Sequence, residues 1–271
     1  MGGRKPSGGG GKAPYEAPPD VMAGLLAVSA GRTLVASAFG STVRVWDTRS
    51  GSATTLQVNG AAGLPAVARA LAFSPDGATL LTASDDKWVR LWNADGWAVR
   101  GAVLLPKKCS AVAFTPDGEW ALMADRYGDV HVARVHAPPT EDAARGQHTW
   151  NMFGHFCSVV TSLDVSADGQ RILSGDRDNK LRITWMPAAP DSGDGAYEVA
   201  AYCLGHTQFV ASAAFCGELV VSGGGDGALR LWDVAGTALD SAQLGAAMAE
   251  EGGEAEKEGG EGEKEGGEGE K

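Results

Sequence analysis

Residues 172–185 read ILSGDRDNKLRITW, and residues 220–232 read VVSGGGDGALRLW. In each, a short apolar run that ends in Ser-Gly (ILSG, VVSG) and a run that alternates apolar and polar residues (KLRITW, ALRLW) flank a few turn-forming residues. Alternation with period two places every second side chain on one face, so each stretch predicts two antiparallel strands joined by a tight turn. The first turn carries Asp176, Arg177 and Asp178 in succession, where the second has Gly224, Gly225 and Asp226. A backbone that accepts glycine at two of these positions does not itself need the charges. The first turn is therefore a candidate for function.

The same layout recurs along the chain. Alternating runs end at Trp46 (TVRVW), Trp92 (WVRLW), Ala133 (DVHVA), Thr184 (KLRIT) and Trp232 (ALRLW), at intervals of 46, 41, 51 and 48 residues. Upstream of four of them stand ALAFSPDG (70–77), AVAFTPDG (111–118), SLDVSADG (162–169) and SAAFCGE (212–218). The Asp-Gly ends are turn chemistry, because glycine adopts positive φ without a steric cost. Four antiparallel strands per 40 to 50 residues is the pattern of a propeller blade.

Gly205–His206 and LRLWD at 229–233 match the WD-repeat pattern. In such blades a loop histidine, a Ser or Thr on the second strand, a turn aspartate and a tryptophan on the third strand form a buried hydrogen-bonded chain. The resemblance assigns these positions to His206, Ser222, Asp226 and Trp232. It assigns three of them to His155, Ser174 and Asp178, with Thr184 in place of the tryptophan, and three to Thr82, Asp86 and Trp92. Buried polar groups that satisfy one another are cheap, whereas a lone one is costly, so these residues are read as structural.

Composition sets the limits. The 271 residues are 44% hydrophobic, enough for a sizeable core. Of the net charge of -11, the stretch 250–271 supplies -7 through ten Glu and three Lys, which leaves a mildly acidic body. No Lys/Arg-rich stripe is visible in the sequence, so tight nucleic-acid binding by this chain alone is not expected. Residues 1–20, rich in Gly and Pro, and 250–271, with the repeat EKEGGEG, are expected to be a disordered leader and tail around a propeller at 21–249. Cys109, Cys157, Cys203 and Cys216 form no C-x-x-C pair and are read as reduced thiols, so no metal site is expected. No run approaches the roughly 20 apolar residues of a membrane span, and no membrane partner is expected.

Three stretches resemble consecutive segments of the non-catalytic WD-repeat subunits of tRNA (guanine-N7)-methyltransferases. They are CSAVAFTPDGEWALMADRYGDVHVARV (109–135), GHFCSVVTSLDVSADGQRILSGDRDNKLRITW (154–185) and CLGHTQFV (203–210). The features that carry the likeness are an ADR-x-GDV turn, the DRD-x-K turn, and Thr before Trp185 where other repeats have Trp. The resemblance implies an all-β WD-repeat propeller of seven blades, whereas 21–249 has room for about five. A shortened ring is expected. It also implies a nuclear heterodimer in tRNA modification. This chain would be non-catalytic and free of cofactor; the catalytic partner would use S-adenosylmethionine, and tRNA would be met through the complex. The DRD-x-K turn implies a partner-binding rim of Asp176, Arg177 and Lys180, joined by Phe156 and Phe209 from neighbouring loops. The competing expectation is a general WD-repeat scaffold such as a cullin ubiquitin-ligase substrate receptor, suggested by WDTR at 46–49.

Overall fold

The computed structural model describes residues 25–31, 33–137, 146–156 and 158–244. The expected leader and tail lie outside these residues, as does Cys157. Every named element is a β-strand, and the strands form five four-stranded antiparallel sheets plus one two-stranded ribbon. The fold is an all-β WD-repeat propeller arc.

Each sheet is one blade, with its strands adjacent in chain order. Blade I contains β1 (Leu25–Val28), β2 (Leu34–Phe39), β3 (Thr42–Asp47) and β4 (Ala53–Thr55). The ribbon β5 (Gln57–Val58) and β6 (Ala61–Ala62) leads to blade II, built of β7 (Ala68–Phe73), β8 (Thr79–Ser84), β9 (Trp88–Asn93) and β10 (Val99–Leu104). Blade III has β11 (Cys109–Phe114), β12 (Trp120–Asp125), β13 (Asp129–Arg134) and β14 (Trp150–Gly154). Blade IV has β15 (Val160–Val165), β16 (Arg171–Asp176), β17 (Lys180–Trp185) and β18 (Val199–Leu204). Blade V has β19 (Val210–Cys216), β20 (Leu219–Gly224), β21 (Ala228–Asp233) and β22 (Ala238–Gln243).

A repeated turn starts the second strand of three blades. In blades II, III and IV the hydroxyls of Ser74, Thr115 and Ser166 accept the backbone N–H groups of Thr79, Trp120 and Arg171. The same hydroxyls donate to Asp76, Asp117 and Asp168. Those carboxylates also accept the N–H two residues on, at Ala78, Glu119 and Gln170. Gly77, Gly118 and Gly169 close the turns at φ 71°, 72° and 71°, a region glycine enters without cost. The S/T-x-D-G motif is thus a self-satisfying unit.

The core lies between blades. One apolar cluster sits at each of the junctions I/II, II/III, III/IV and IV/V. Trp92 and Trp232 are fully buried in the first and last of these junctions. Among the described residues no such cluster joins blade V to blade I. Leu26 and Val28 on blade I are 67% and 49% exposed, and Val221 and Leu229 on blade V are 38% and 39% exposed. Among the described residues, no blade covers these two end faces.

Candidate functional site

In an antiparallel meander the second-to-third turns and the loops between blades share one face, the upper face here. Blade V shows its local logic most simply. His206 Nε2 lies 2.8 Å from Ser222 Oγ, and Trp232 Nε1 donates to that hydroxyl at 2.9 Å. His206 Nδ1 faces both Asp226 oxygens at 3.1 Å, and Asp226 also accepts the N–H groups of Thr207 and Ala228. Burial opposes ionisation of Asp226, but these hydrogen bonds outweigh it and hold the carboxyl at about 2.

Blade IV departs from the expected assignment. His155 Nε2 meets Ser174 Oγ at 2.8 Å, but Nδ1 meets Asp176 Oδ2 at 2.9 Å, not Asp178. Asp176 is 2% exposed, so its expected place on the partner-binding rim is corrected as well. Its Oδ1 accepts the N–H groups of Asp178 and Lys180 at 2.9 and 3.0 Å, so this carboxylate pins the turn from below. Burial works against its charge, yet the bonds from His155, Lys180 and Asp178 keep the carboxyl below its usual range. Asp178 is exposed, with no side-chain hydrogen bond among the described residues.

The reason is one slot for one carboxylate. A Cβ on Gly224, which occupies the place of Asp176, would fall 2.5 Å from His206 Nδ1 and 2.6 Å from Asp226 Oδ1. Glycine clears the slot for Asp226; aspartate at 176 fills it and leaves Asp178 outside. Blade II uses a third solution, with Trp92 Nε1 donating to Thr82 at 2.8 Å while Asp86 bonds Arg90 and Ser84. In blade III Asp125 stands in the slot position and faces His131 Nε2 at 3.4 Å. Asp125, Asp129 and His131 place ligand atoms within 4.8 Å of one another, the set best arranged among the described residues to hold a cation. The N–H groups of Tyr127 and Asp129 already converge on Asp125, which assigns it to the turn.

Above the pin, the rim is exposed. Arg177 and Lys180 face solvent, and neither has a side-chain ion pair or hydrogen bond among the described residues. The backbone of Arg177 is fixed by its N–H to Val159 O at 3.0 Å, just as Gly225 N–H meets Phe209 O at 2.8 Å in blade V. Thr161 Oγ1 ties the two blades through Val210 O. Phe156 is 95% exposed. Phe209 is 45% exposed, and its ring covers Gly225, where an added Cβ would lie 2.4 Å from Cε1.

The structure also reveals a charge division. The lysines of the described body, Lys87, Lys107, Lys108 and Lys180, all belong to the upper face, together with Arg126 and Arg177. Lys107 lies 4.3 Å over the Tyr127 ring, and Asp85 is taken by Arg69 and Lys108. On the opposite face, the connections within blades II to V carry Asp76, Asp95, Asp117, Glu119, Asp168 and Glu218 in tight turns. Asp191, Asp194 and Glu198 follow in the β17–β18 loop. Among their described residues these connections hold no Lys or Arg. Linear reading missed this division because cations from different blades stand tens of residues apart. Alternating the turns between faces, once strands are assigned, would have found it.

Comparison with known proteins agrees with this architecture. A family profile for the tRNA methyltransferase TRM82 WD40 domain matches residues 147–258, and one for the WD domain, G-beta repeat, matches 62–93. This chain is a WD-repeat protein. It is 32% identical over 164 residues to the tRNA (guanine-N(7)-)-methyltransferase non-catalytic subunit WDR4 of Mus musculus, covering 59% of this chain and 36% of that protein. Identity to the Homo sapiens protein of the same name is 33% over 164 residues, with shares of 59% and 36%. For the Bos taurus protein it is 30% over 209 residues, with 74% and 47% covered. The chain thus resembles the non-catalytic subunit and spans less than half the length of these curated relatives. A chain of a solved structure described as the mitotic checkpoint complex superposes with a TM-score of 0.66 at 20% identity, covering 90% of this chain and 75% of that one. That likeness concerns the fold alone.

Proposed function

We propose that this WD-repeat protein is a non-catalytic scaffold subunit of a tRNA (guanine-N7)-methyltransferase heterodimer, which binds and stabilises the catalytic subunit through the upper rim of blades IV and V. The observation that carries this reading is the Arg177 turn: a cation without a side-chain partner among the described residues, on a backbone pinned by buried Asp176, in a chain similar to named non-catalytic subunits. Arg177 supplies a planar fork suited to a partner carboxylate, Lys180 adds charge, and Phe156 and Phe209 offer apolar surface. The cations along the upper face of blades II to IV support contact with tRNA phosphates beside the docked partner. S-adenosylmethionine belongs to the partner, and the complex acts in the nucleus, a placement that imaging of the tagged chain tests.

The deciding experiment measures affinity for the catalytic subunit and the thermal midpoint in two variants. Arg177→Ala should weaken binding by about 2 kcal/mol or more, the cost of stranding a charge at an interface, and leave the midpoint near that of the parent. Asp226→Ala should lower the midpoint by breaking the His206 chain. Parental affinity for Arg177→Ala would remove the docking role.

A further inference from the structure

On the acidic face, blades III and IV enclose a groove of about 560 Å³. Its sides are the β11–β12 turn with Pro116 and Asp117, and the β15–β16 turn with Asp168. Trp120 and Met186 supply apolar surface, and Pro187 and Pro190 come from the β17–β18 loop. The groove lies on the face opposite the Arg177 turn and plays no part in the docking proposed above.

The long β17–β18 loop is fastened down. Ala196 N–H donates to Met152 O at 2.6 Å, and Ala196 is buried in the cluster between blades III and IV. Arg134 Nε donates to Asp191 of the loop at 3.1 Å, while its guanidinium lies 4.5 Å from the centroid of Trp120. Trp120 in turn meets Trp150 edge-on, with centroids 6.2 Å apart. These contacts form a fixed wall, and a preorganised surface binds at a lower entropic cost than one that must be ordered.

The charge of the groove selects its occupant. Asp117 and Asp168 each use Oδ1 to accept the bonds of their own turns. The second oxygen of Asp117 has no partner among the described residues, and that of Asp168 has only Arg171 at 3.6 Å. Arg171 and Arg134 lie beside the groove, paired with Asp168 and Asp191, but Asp117 has no cationic partner among the described residues, so the site attracts a cation. Lysine and arginine combine an apolar stem with a charged head, which matches an apolar floor bordered by carboxylates. We propose that this groove docks an extended cationic segment of a partner protein, with a Lys or Arg head at Asp117 and Asp168 and apolar or proline neighbours against Trp120, Met186 and the loop prolines.

The test uses the full-length chain and a fluorescein-labelled peptide in which Lys and Arg alternate with Pro and Leu, followed by anisotropy. Asp117→Asn/Asp168→Asn should weaken binding at least tenfold, and Asp76→Asn/Asp95→Asn, on the same face outside the groove, should change it less than twofold. Arg177→Ala should bind like the parent, which separates this site from the docking rim. All four proteins carry the same Glu-rich residues 250–271, so attraction to that stretch cancels in the comparison. Equal loss in both Asn pairs shows general attraction to the acidic face and overturns the proposal. So does parental binding by the Asp117/Asp168 variant, equal binding of a Glu-substituted peptide, or no binding by the parent.

Discussion

At the residue scale, a single carboxylate site beside a loop histidine decides which aspartate of a turn is structural and which is free. Asp176 occupies it in blade IV, where it joins His155 and two backbone N–H groups; Asp226 reaches it in blade V because Gly224 leaves room. Removing Asp176 strands the buried His155 and unpins the backbone that carries Arg177. Leaving a buried polar group unsatisfied costs about 1–3 kcal/mol, more where charge is involved. Asp176→Ala should therefore lower unfolding free energy by about 2–3 kcal/mol in chemical denaturation. Exposed Asp178→Ala should stay within about 0.5 kcal/mol of the parent. Equal effects would show that the two aspartates share the role. The serine and tryptophan positions are legible because strand register fixes their spacing, and the histidines because each stands in a Gly-His pair. Counted from Ser174 the repeat points to Asp178, the counterpart of Asp226 after Ser222, and only competition for space beside His155 gives the role to Asp176.

At the scale of elements, the turns were the most legible part of the chain and the strand irregularities the least. The PDG and ADG signals sit where the structure has its S/T-x-D-G turns, since their chemistry is local. In blades II to V the innermost strand carries a register shift after its first residue, at Ala68/Ala70, Cys109/Ala111, Val160/Ser162 and Val210/Ser212. Only one strand residue precedes each shift, so the alternation of the rest of the strand is unbroken and the bulge leaves little trace in sequence. The upper turns share another hidden demand. Their last residue takes positive φ in blades II to V, through Lys87, Gly128, Asn179 and Gly227, and in blade I the first of the two turn residues, Gly40, does so. Glycine and asparagine suit this region, whereas Lys87 at φ 72° crowds its Cβ against the backbone. Lys87→Asn should raise unfolding free energy by about 0.5–1 kcal/mol, the gain typical of relieving such a conformation. Because Lys87 is exposed and has no side-chain hydrogen bond or ion pair among the described residues, little opposes the gain. A lower denaturation midpoint for the variant would show that Lys87 has a stabilising contact beyond its turn.

At the scale of the whole molecule, each inter-blade cluster has two blade faces to cover it, but the end blades each have one face without a neighbour among the described residues. Blade I presents Leu26 and Val28, and blade V presents Val221 and Leu229, all well exposed. Repeat spacing made five blades legible in the sequence; whether they close depends on the angle between sheets, which no local pattern encodes. A propeller normally protects such surfaces by circular repetition, so an open arc retains apolar faces that favour association. The isolated chain should self-associate in a concentration-dependent manner in sedimentation velocity. Val221→Lys/Leu229→Glu places charge on the blade V face without entering the IV/V cluster, whose members include Val220 and Trp232 instead. That variant should shift the distribution toward monomer and keep the thermal midpoint within a few degrees, because surface substitutions outside the packed clusters change stability little. If the parent is already a single monomeric species at high concentration, the end faces are satisfied and the open arc does not describe the protein in solution. If the variant instead unfolds, those side chains support a packed junction, and blades V and I meet.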